Sequence, residues 1–190
     1  MLNILDRNLI QDQIYQNTYN SLKALIDNSY YTQLTMPKHN IPNIPYLKEF
    51  CTIKLANSRR SGHTTSLCKL AYEYFDKVAI ICLKQQPAQL THKSFIEINQ
   101  LTKEGNENSG KYLLDQIKSL RLSNNEINMD NKHYFFTSIQ SIDNQLRGRE
   151  FEAFFIDCSF GLTNGQIENI YNLANGCMHN YKQKFIVFVG

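Results

Sequence analysis

Short apolar runs alternate along this chain with longer segments in which apolar residues recur at helical spacing. Five runs have the composition of strands, and they cover residues 50–56, 78–83, 133–137, 153–157 and 185–189. Runs without regular polar positions, such as 78–83, are typical of parallel strands buried on both faces. Strands that alternate with helical segments predict an α/β fold with a mostly parallel five-stranded sheet.

The segments between the runs carry the matching helical stripes. After the first run, apolar residues lie at the i, i+3, i+4, i+7, i+8 positions of a helix: Leu67, Leu70, Ala71, Tyr74 and Phe75. After the fourth run, Asn164 is predicted to cap a helix that turns Ile170 and Ala174 inward. Helices that cover both faces of the sheet would give a three-layer α/β/α sandwich.

The first 46 residues are predicted to form a segment of their own. An amphipathic helix, broken or bent, is indicated by Leu5, Leu9, Tyr15, Tyr19, Leu22 and Ile26. Three prolines, Pro37, Pro42 and Pro45, then predict an extended connector over residues 36–46, because proline is excluded from helix interiors. The predicted organisation is therefore a helical segment and connector over 1–46, followed by a core over 47–190.

Between the first strand and its helix the sequence reads Asn57-Ser58-Arg59-Arg60-Ser61-Gly62-His63-Thr64-Thr65. A phosphate-binding loop runs from a glycine across four residues to Gly-Lys-Ser/Thr, so that backbone N–H groups and a helix N-terminus face the phosphates. Gly62 and Thr64 match the second glycine and the hydroxyl that binds Mg²⁺. Asn57 replaces the first glycine, and His63 replaces the lysine. The alternative is a Gly-Ser-Thr turn that caps an ordinary helix without a ligand.

Asp157 ends the fourth apolar run. In phosphate-loop enzymes a run of this kind delivers an acid to the magnesium ion, and open parallel sheets bind their ligands at the carboxyl ends of the strands. The alternative is an aspartate that only caps the following turn. Together with the loop, Asp157 predicts a site for ATP and Mg²⁺.

Two patches resemble the ATPase domain of phage terminase large subunits. The loop Ser58-Arg59-Arg60-Ser61-Gly62-His63-Thr64-Thr65 is similar to the family's Ser-Arg-Gln-Ser-Gly-Lys-Thr/Ser-Thr. The second patch runs from Thr137-Ser138 through Arg147-Gly148 and Phe151 to Asp157, and it is similar in order to the family's Thr-Ala, Arg-Gly, aromatic residue and Asp-Glu. The resemblance spans residues 51–190 and extends more loosely to superfamily-two helicases.

This resemblance implies a P-loop NTPase fold and a role for each matching residue. Thr64 and Asp157 would bind Mg²⁺, and Arg59 would sense or stabilise the γ-phosphate, so Arg59 and Asp157 are the catalytic candidates. The nucleotide would be surrounded by Ser58, Arg59, Arg60, Ser61, Gly62, His63, Thr64 and Thr65.

Two departures from the family affect the residues that hydrolysis needs most. His63 replaces the lysine, and an imidazole with an ordinary pKa of about 6.5 neutralises little phosphate charge at pH 7. Cys158 replaces the glutamate that would orient water, and the nearest acids in sequence are Glu150 and Glu152. In other phosphoryl-transfer enzymes a single arginine finger raises the rate by roughly 10³ to 10⁵. By analogy, the loss of the lysine and the glutamate predicts weak or absent hydrolysis.

Two further function classes stay open. The first is a catalytically inactive pseudo-ATPase that serves as a protein-interaction module, with a phage or host protein as its partner. The second is an active helicase-like or kinase-like enzyme, for which the sequence shows neither a base nor an acceptor pocket. ATP binding that depends on magnesium would distinguish the leading hypothesis from the first of these. The oligomeric state is not indicated by the sequence.

Length and composition indicate the class of protein, its location and its candidate partners. A length of 190 residues with 42% hydrophobic content suits one globular domain. The five cysteines lack the spacing of a metal site and predict reduced thiols. No apolar run is long enough to span a membrane. We therefore expect a cytoplasmic protein, located in the infected host cell if it is phage-encoded. The net charge of +3 does not by itself indicate nucleic-acid binding, and DNA is a candidate partner through local basic clusters.

Overall fold

A computed structural model shows an α/β fold in which helices pack on both faces of a six-stranded, mostly parallel sheet. The structure describes residues 4–36, 41–56, 62–84, 88, 91, 94–97, 126–129, 132–157 and 159–190. In chain order the main described elements are α1 (Ile4–Thr35), α2 (Asn43–Phe50), β1 (Thr52–Leu55), α3 (His63–Tyr74), β2 (Lys77–Cys82), β3 (Glu126–Met129), β4 (Lys132–Ser138), α4 (Ile142–Leu146), β5 (Ala153–Asp157), α5 (Asn164–Cys177) and β6 (Phe185–Val189). A short 3₁₀ turn, Ser159–Gly161, follows β5. The predicted α/β class is confirmed.

The order of the strands across the sheet is β1-β6-β5-β2-β4-β3. All neighbouring pairs are parallel except β3 and β4. Strand β6 lies between β1 and β5, and its Val189 is in register with both Leu55 and Asp157. The carboxyl ends of β1 and β5 therefore lie at the same edge of the sheet, one strand apart, and this edge is where open parallel sheets bind ligands.

The number of strands was predicted wrongly, because β3 is a sixth strand. It contains four residues, of which Glu126 and Asn128 are polar, and it pairs antiparallel with β4 at the edge of the sheet. The signal was present in the alternation of Ile127 and Met129 with those polar residues. Two residues separate β3 from β4, which is also the spacing of a β-hairpin.

Both faces of the sheet are buried, and successive residues of a strand face opposite sides. In β5, Phe155 packs in the cluster that contains residues of α1 and α3. Its neighbours Phe154 and Ile156 pack in the cluster that contains residues of α2, α4 and α5. Every residue of β5 and β6 is buried. This double burial explains why these runs show no regular polar positions.

Helix α1 is continuous over its 32 residues, whereas the sequence predicted a broken or bent helix. Its Leu22 and Ile26 are buried in the same core as α3, as the predicted stripe requires. Near the end of α1, the Gln33 side chain donates to the Lys184 carbonyl at 2.8 Å and accepts from the Lys184 N–H at 2.9 Å. Among the described helices, none is both long enough and apolar enough to cross a membrane.

Helix α2 begins at Asn43, inside the segment for which the sequence predicted an extended connector. Pro42 occupies the cap position, and Pro45 lies in the first turn. The first-turn amides of a helix have no intrahelical acceptor, so proline there removes no hydrogen bond. The prolines therefore mark the start of this helix. Residues 37–40 of the predicted connector lie outside the described residues.

Helix α5 is capped by Thr163, one residue before the predicted Asn164. The Thr163 hydroxyl accepts from the Gln166 N–H at 3.3 Å, and the Gln166 side chain accepts from the Thr163 N–H at 2.9 Å. This reciprocal pair is a capping box, which provides hydrogen-bond acceptors for two amides that have none within the helix. The predicted inward residues Ile170 and Ala174 are buried.

Thr163→Ala is expected to lower the free energy of unfolding by about 1 kcal/mol, because it removes the cap of α5. Urea denaturation followed by circular dichroism measures the difference. Asn164→Ala is the matched control, since Asn164 is exposed and is the first residue within the helix. Equal losses in the two variants would contradict the assignment of the cap to Thr163.

Candidate functional site

The predicted site residues that the structure describes lie at the carboxyl edge of the sheet. Gly62, His63, Thr64 and Thr65 form the cap and first turn of α3, and Asp157 is the last residue of β5. Six other residues lie outside the described residues, and they comprise four residues of the predicted site and two positions that depart from the motif: Ser58, Arg59, Arg60, Ser61, Asn57 and Cys158.

Thr64 and Asp157, the two residues assigned to Mg²⁺, are in direct contact although 93 positions separate them. The Thr64 Oγ1 donates a hydrogen bond to Asp157 Oδ2 at 2.8 Å. Asp157 is only 5% exposed, so its carboxylate lies largely out of water. A buried carboxylate needs compensating partners. The contact therefore joins the start of α3 to the end of β5 through a largely buried polar pair.

Gly62 is the cap residue of α3 and has the left-handed backbone conformation, with φ at +73°. A side chain at this position would also meet α1, because a Cβ would lie 2.9 Å from Tyr15 Cδ2. Glycine is thus favoured both by conformation and by the close approach of α1. No local pattern places Tyr15 beside the loop, since its position on the apolar stripe of α1 indicates core packing alone.

Gly62→Ala is expected to lower the free energy of unfolding by about 1 to 2 kcal/mol, from the left-handed backbone conformation alone. The contact with Tyr15 adds to that loss. Chemical denaturation measures it, and Gly165→Ala is the matched control. Gly165 lies in the first turn of α5 with nothing within 4 Å of a built Cβ, so alanine there should be neutral or stabilising. Loss of stability at Gly165 alone would contradict the prediction.

His63 is the first residue of α3, and its Nε2 is buried without a hydrogen-bond partner among the described residues. Burial lowers the pKa of His63, and the nearby Asp157 charge opposes that shift. The imidazole is therefore neutral at pH 7. The Ser66 Oγ, in the same turn, is also buried and lacks a partner within the described part of the chain. Unsatisfied buried polar atoms are uncommon and often mark a functional position.

Further polar side chains line up at the same edge of the sheet. Cys82 ends β2 and is in register with both Asp157 and Ser138. Beside Ser138, the Thr137 Oγ1 donates to Gln145 Oε1 at 2.6 Å. Ser138 Oγ donates to Ser141 Oγ at 3.3 Å, so Thr137 and Ser138 both have protein partners. Thr137 and Ser138 belong to the second patch that resembles the terminase family, whereas Gln145 stands in a polar stretch without a pattern and was not predicted.

The two acids nearest Asp157 in sequence cannot replace the missing glutamate. Glu152 precedes β5, and its Oε1 accepts hydrogen bonds from the backbone N–H groups of Asp76 and Lys77. At about 3.3 Å per residue, the strand separates Glu152 from Asp157 by about 16 Å. Glu150 lies still earlier and accepts from Asn180. Both acids belong to the opposite edge of the sheet.

Arg147 and Arg149, which flank Gly148 in one of the local basic clusters, both lie beside acids. Arg149 Nη1 is 2.7 Å from Glu126 Oε1, and its guanidinium packs over the Phe135 ring. Arg147 Nη2 is 3.7 Å from Asp143 Oδ1. The positive charge that this cluster presents to a phosphate backbone is therefore smaller than the sequence suggests.

No protein-family model matches the chain, and no curated protein is significantly similar to it. The resemblance to terminase ATPase domains therefore stays a prediction from the sequence.

Proposed function

We propose that this chain is a terminase-like P-loop ATPase-type domain that binds ATP with Mg²⁺ and hydrolyses it weakly or not at all. The observation that carries the proposal is the 2.8 Å contact between Thr64 Oγ1 and Asp157 Oδ2. In sites of this class a hydroxyl at the start of the helix and an acid at the end of a buried strand hold the same ion.

The distance between the two oxygens supports the assignment to magnesium. Mg²⁺ binds oxygen at about 2.1 Å in octahedral geometry, so adjacent ligands lie about 3.0 Å apart. Magnesium sites commonly use one or two carboxylates, and water and phosphate oxygens supply the remaining ligands. Thr64 and Asp157 therefore fit as two neighbouring ligands, and the ion would neutralise phosphate charge beside them.

The start of α3 suits a phosphate. The helix begins directly after the left-handed Gly62 and runs for 12 residues, so its unpaired N–H groups and its positive dipole end lie at the loop. His63 Nε2 and Ser66 Oγ, both buried in the first turn, lack partners within the described residues. A bound phosphate oxygen would accept a hydrogen bond from either group.

Weak hydrolysis follows from the chemistry of the same residues. Burial keeps His63 neutral at pH 7, so it supplies less charge to the phosphates than the lysine it replaces. Glu150 and Glu152 lie at the wrong edge of the sheet to orient water near Asp157. Phosphoryl transfer depends on positioning and charge stabilisation, and both are reduced here.

The second candidate function, a pseudo-ATPase that binds a protein, is favoured by a different observation. Five apolar or aromatic side chains on or next to the second half of α1 are exposed, and they are Leu25, Tyr30, Tyr31, Leu34 and Met36. Exposed apolar surface of this kind is typical of interaction sites. DNA packaging or other DNA handling would be the context of the first candidate, and a phage or host protein would be the partner in the second.

Hydrogen exchange measured by mass spectrometry tests the proposed site. With Mg²⁺ and ATP together, we expect slower exchange in peptides that cover the start of α3 and the end of β5, and little change with either component alone. Thr64→Val should remove the effect, because it deletes the hydroxyl that contacts Asp157. Thr35→Val, at the end of α1, is the matched control. Protection elsewhere, or none, would argue against the site.

A further inference from the structure

A cavity of about 350 Å³ opens at the edge of the sheet opposite Asp157. It is bounded by the second half of α1, the end of α3, the residue before β5 and the segment that leads into β6. Because β5 and β6 are parallel, their amino ends lie on the side of the sheet away from the candidate nucleotide site. The cavity is therefore separate from that site and is of a size that holds small ligands.

The lining combines aromatic rings with carboxylates. Its tyrosines and charged residues are Asp27, Tyr30, Tyr74, Glu152, Tyr181 and Lys182. Two carboxylates face one ammonium in this set, so the formal charge of the lining is negative when the acids are ionised. Three tyrosines supply π faces, which attract cations. An anionic ligand would meet the carboxylates, and a purely apolar one would offer them no hydrogen-bond donor.

Tyr74 and Tyr181 keep their phenolic protons at neutral pH. Burial, reinforced by the Asp27 charge, raises the pKa of Tyr74. Burial also raises the pKa of Tyr181. Glu152 is held in place by the backbone N–H groups of Asp76 and Lys77, so one carboxylate of the lining has a fixed orientation. The cavity thus has a preformed acceptor beside neutral aromatic rings.

We infer that this cavity is a binding site for a guanidinium group, in which the tyrosine rings stack on the planar cation and Asp27 and Glu152 accept its hydrogen bonds. Guanidinium suits this lining better than a quaternary ammonium, because only guanidinium donates hydrogen bonds to carboxylates while it stacks on rings. The guanidinium group belongs either to a small molecule or to an arginine side chain of a peptide.

Titration monitored by ¹H–¹⁵N NMR tests the inference, with Nα-acetyl-arginine amide and free arginine as probes. We expect saturable shifts around Asp27 and Tyr181, and the acetyl-citrulline amide, which has the same shape without the charge, should bind at least about tenfold more weakly. Tighter binding of the capped probe than of free arginine indicates a peptide source, and the reverse order indicates a small molecule. No saturable shift, or equal binding of the citrulline probe, overturns the inference.

Two neighbouring tyrosines provide the matched variants. Tyr30 lines the cavity, whereas Tyr31 is 66% exposed and is not part of the lining. Tyr30→Leu and Asp27→Asn should each weaken binding of the acetyl-arginine amide by about three- to tenfold, and Tyr31→Leu should leave it unchanged. Asp27 is exposed on α1, so its replacement should not unfold the protein. Equal loss in Tyr30→Leu and Tyr31→Leu would place the probe outside the cavity.

Discussion

Asp157→Asn is expected to weaken magnesium-dependent ATP binding by at least about 100-fold while the fold is retained. Loss of an outer partner of a metal ligand already costs roughly 10- to 100-fold in metal affinity, and Asp157 would be a direct ligand. Asparagine keeps the size of the side chain and an oxygen that can accept from Thr64, so the local packing is preserved. Calorimetric titration with ATP and Mg²⁺ measures the loss.

The stability of the same variant separates a binding role from a structural one. Asp157 is 5% exposed, and a buried carboxylate is costly unless an ion or strong donors compensate it. Asparagine removes the buried charge and keeps an oxygen that can accept from Thr64, so without ligand Asp157→Asn should be about as stable as the wild type. Asp143→Asn, in α4, is the control and should leave ATP binding unchanged. A marked loss of stability with unchanged ATP affinity would mean that Asp157 is a structural residue.

His63→Lys is expected to strengthen binding of ATP by about 10- to 100-fold. Hydrogen bonds to charged groups contribute about 1.5 to 3 kcal/mol, and 1.4 kcal/mol corresponds to a factor of ten. The wild-type imidazole is neutral at pH 7, since burial lowers its pKa from the ordinary 6.5. Lysine would bring a positive charge to the start of α3. The same titration measures the gain, and unchanged or weaker binding would show that position 63 does not face the phosphates.

The pH dependence of the two proteins provides an independent control. The pKa of His63 is lowered in the folded protein, so near and below pH 6.5 the unfolded chain binds more protons than the folded one. The contribution of His63 to the free energy of unfolding therefore falls as the pH falls through that value. A bound phosphate would favour the charged imidazole. ATP affinity of the wild type should therefore rise between pH 7.5 and pH 6, and this rise should be smaller in His63→Lys.

The strands of the core could be predicted from the sequence because strands buried on both faces have uninterrupted apolar runs. The predicted bounds of β5 and β6 agree with the structure, and the other predicted strands differ by one or two residues at their ends. The edge strand β3 escaped prediction because its residues 126 and 128 are polar and lie at least partly in solvent, beside Ile127 at 2% exposure, so an apolar run is not required there. The extended connector was predicted wrongly at Pro45, because proline is tolerated in the first turn of a helix and the sequence does not show where the helix begins.

The candidate site was predictable only in part. A hydroxyl after Gly62 and an acid at the end of a buried strand are local signals, and the structure brings Thr64 and Asp157 together across the sheet. The approach of Tyr15 to Gly62 depends on how α1 packs on α3, which no local pattern reveals. The cavity opposite Asp157 is also assembled from four separate segments of the chain.

Calorimetric titration of the wild-type protein with ATP, in the presence and absence of Mg²⁺, is the most direct test of the proposed function. We expect saturable binding that is at least about tenfold tighter with Mg²⁺, because the ion would join the phosphates to Thr64 and Asp157. Absence of binding in the wild type together with binding in His63→Lys would favour the pseudo-ATPase. Absence of magnesium-dependent binding in both proteins would contradict a nucleotide site at Thr64 and Asp157.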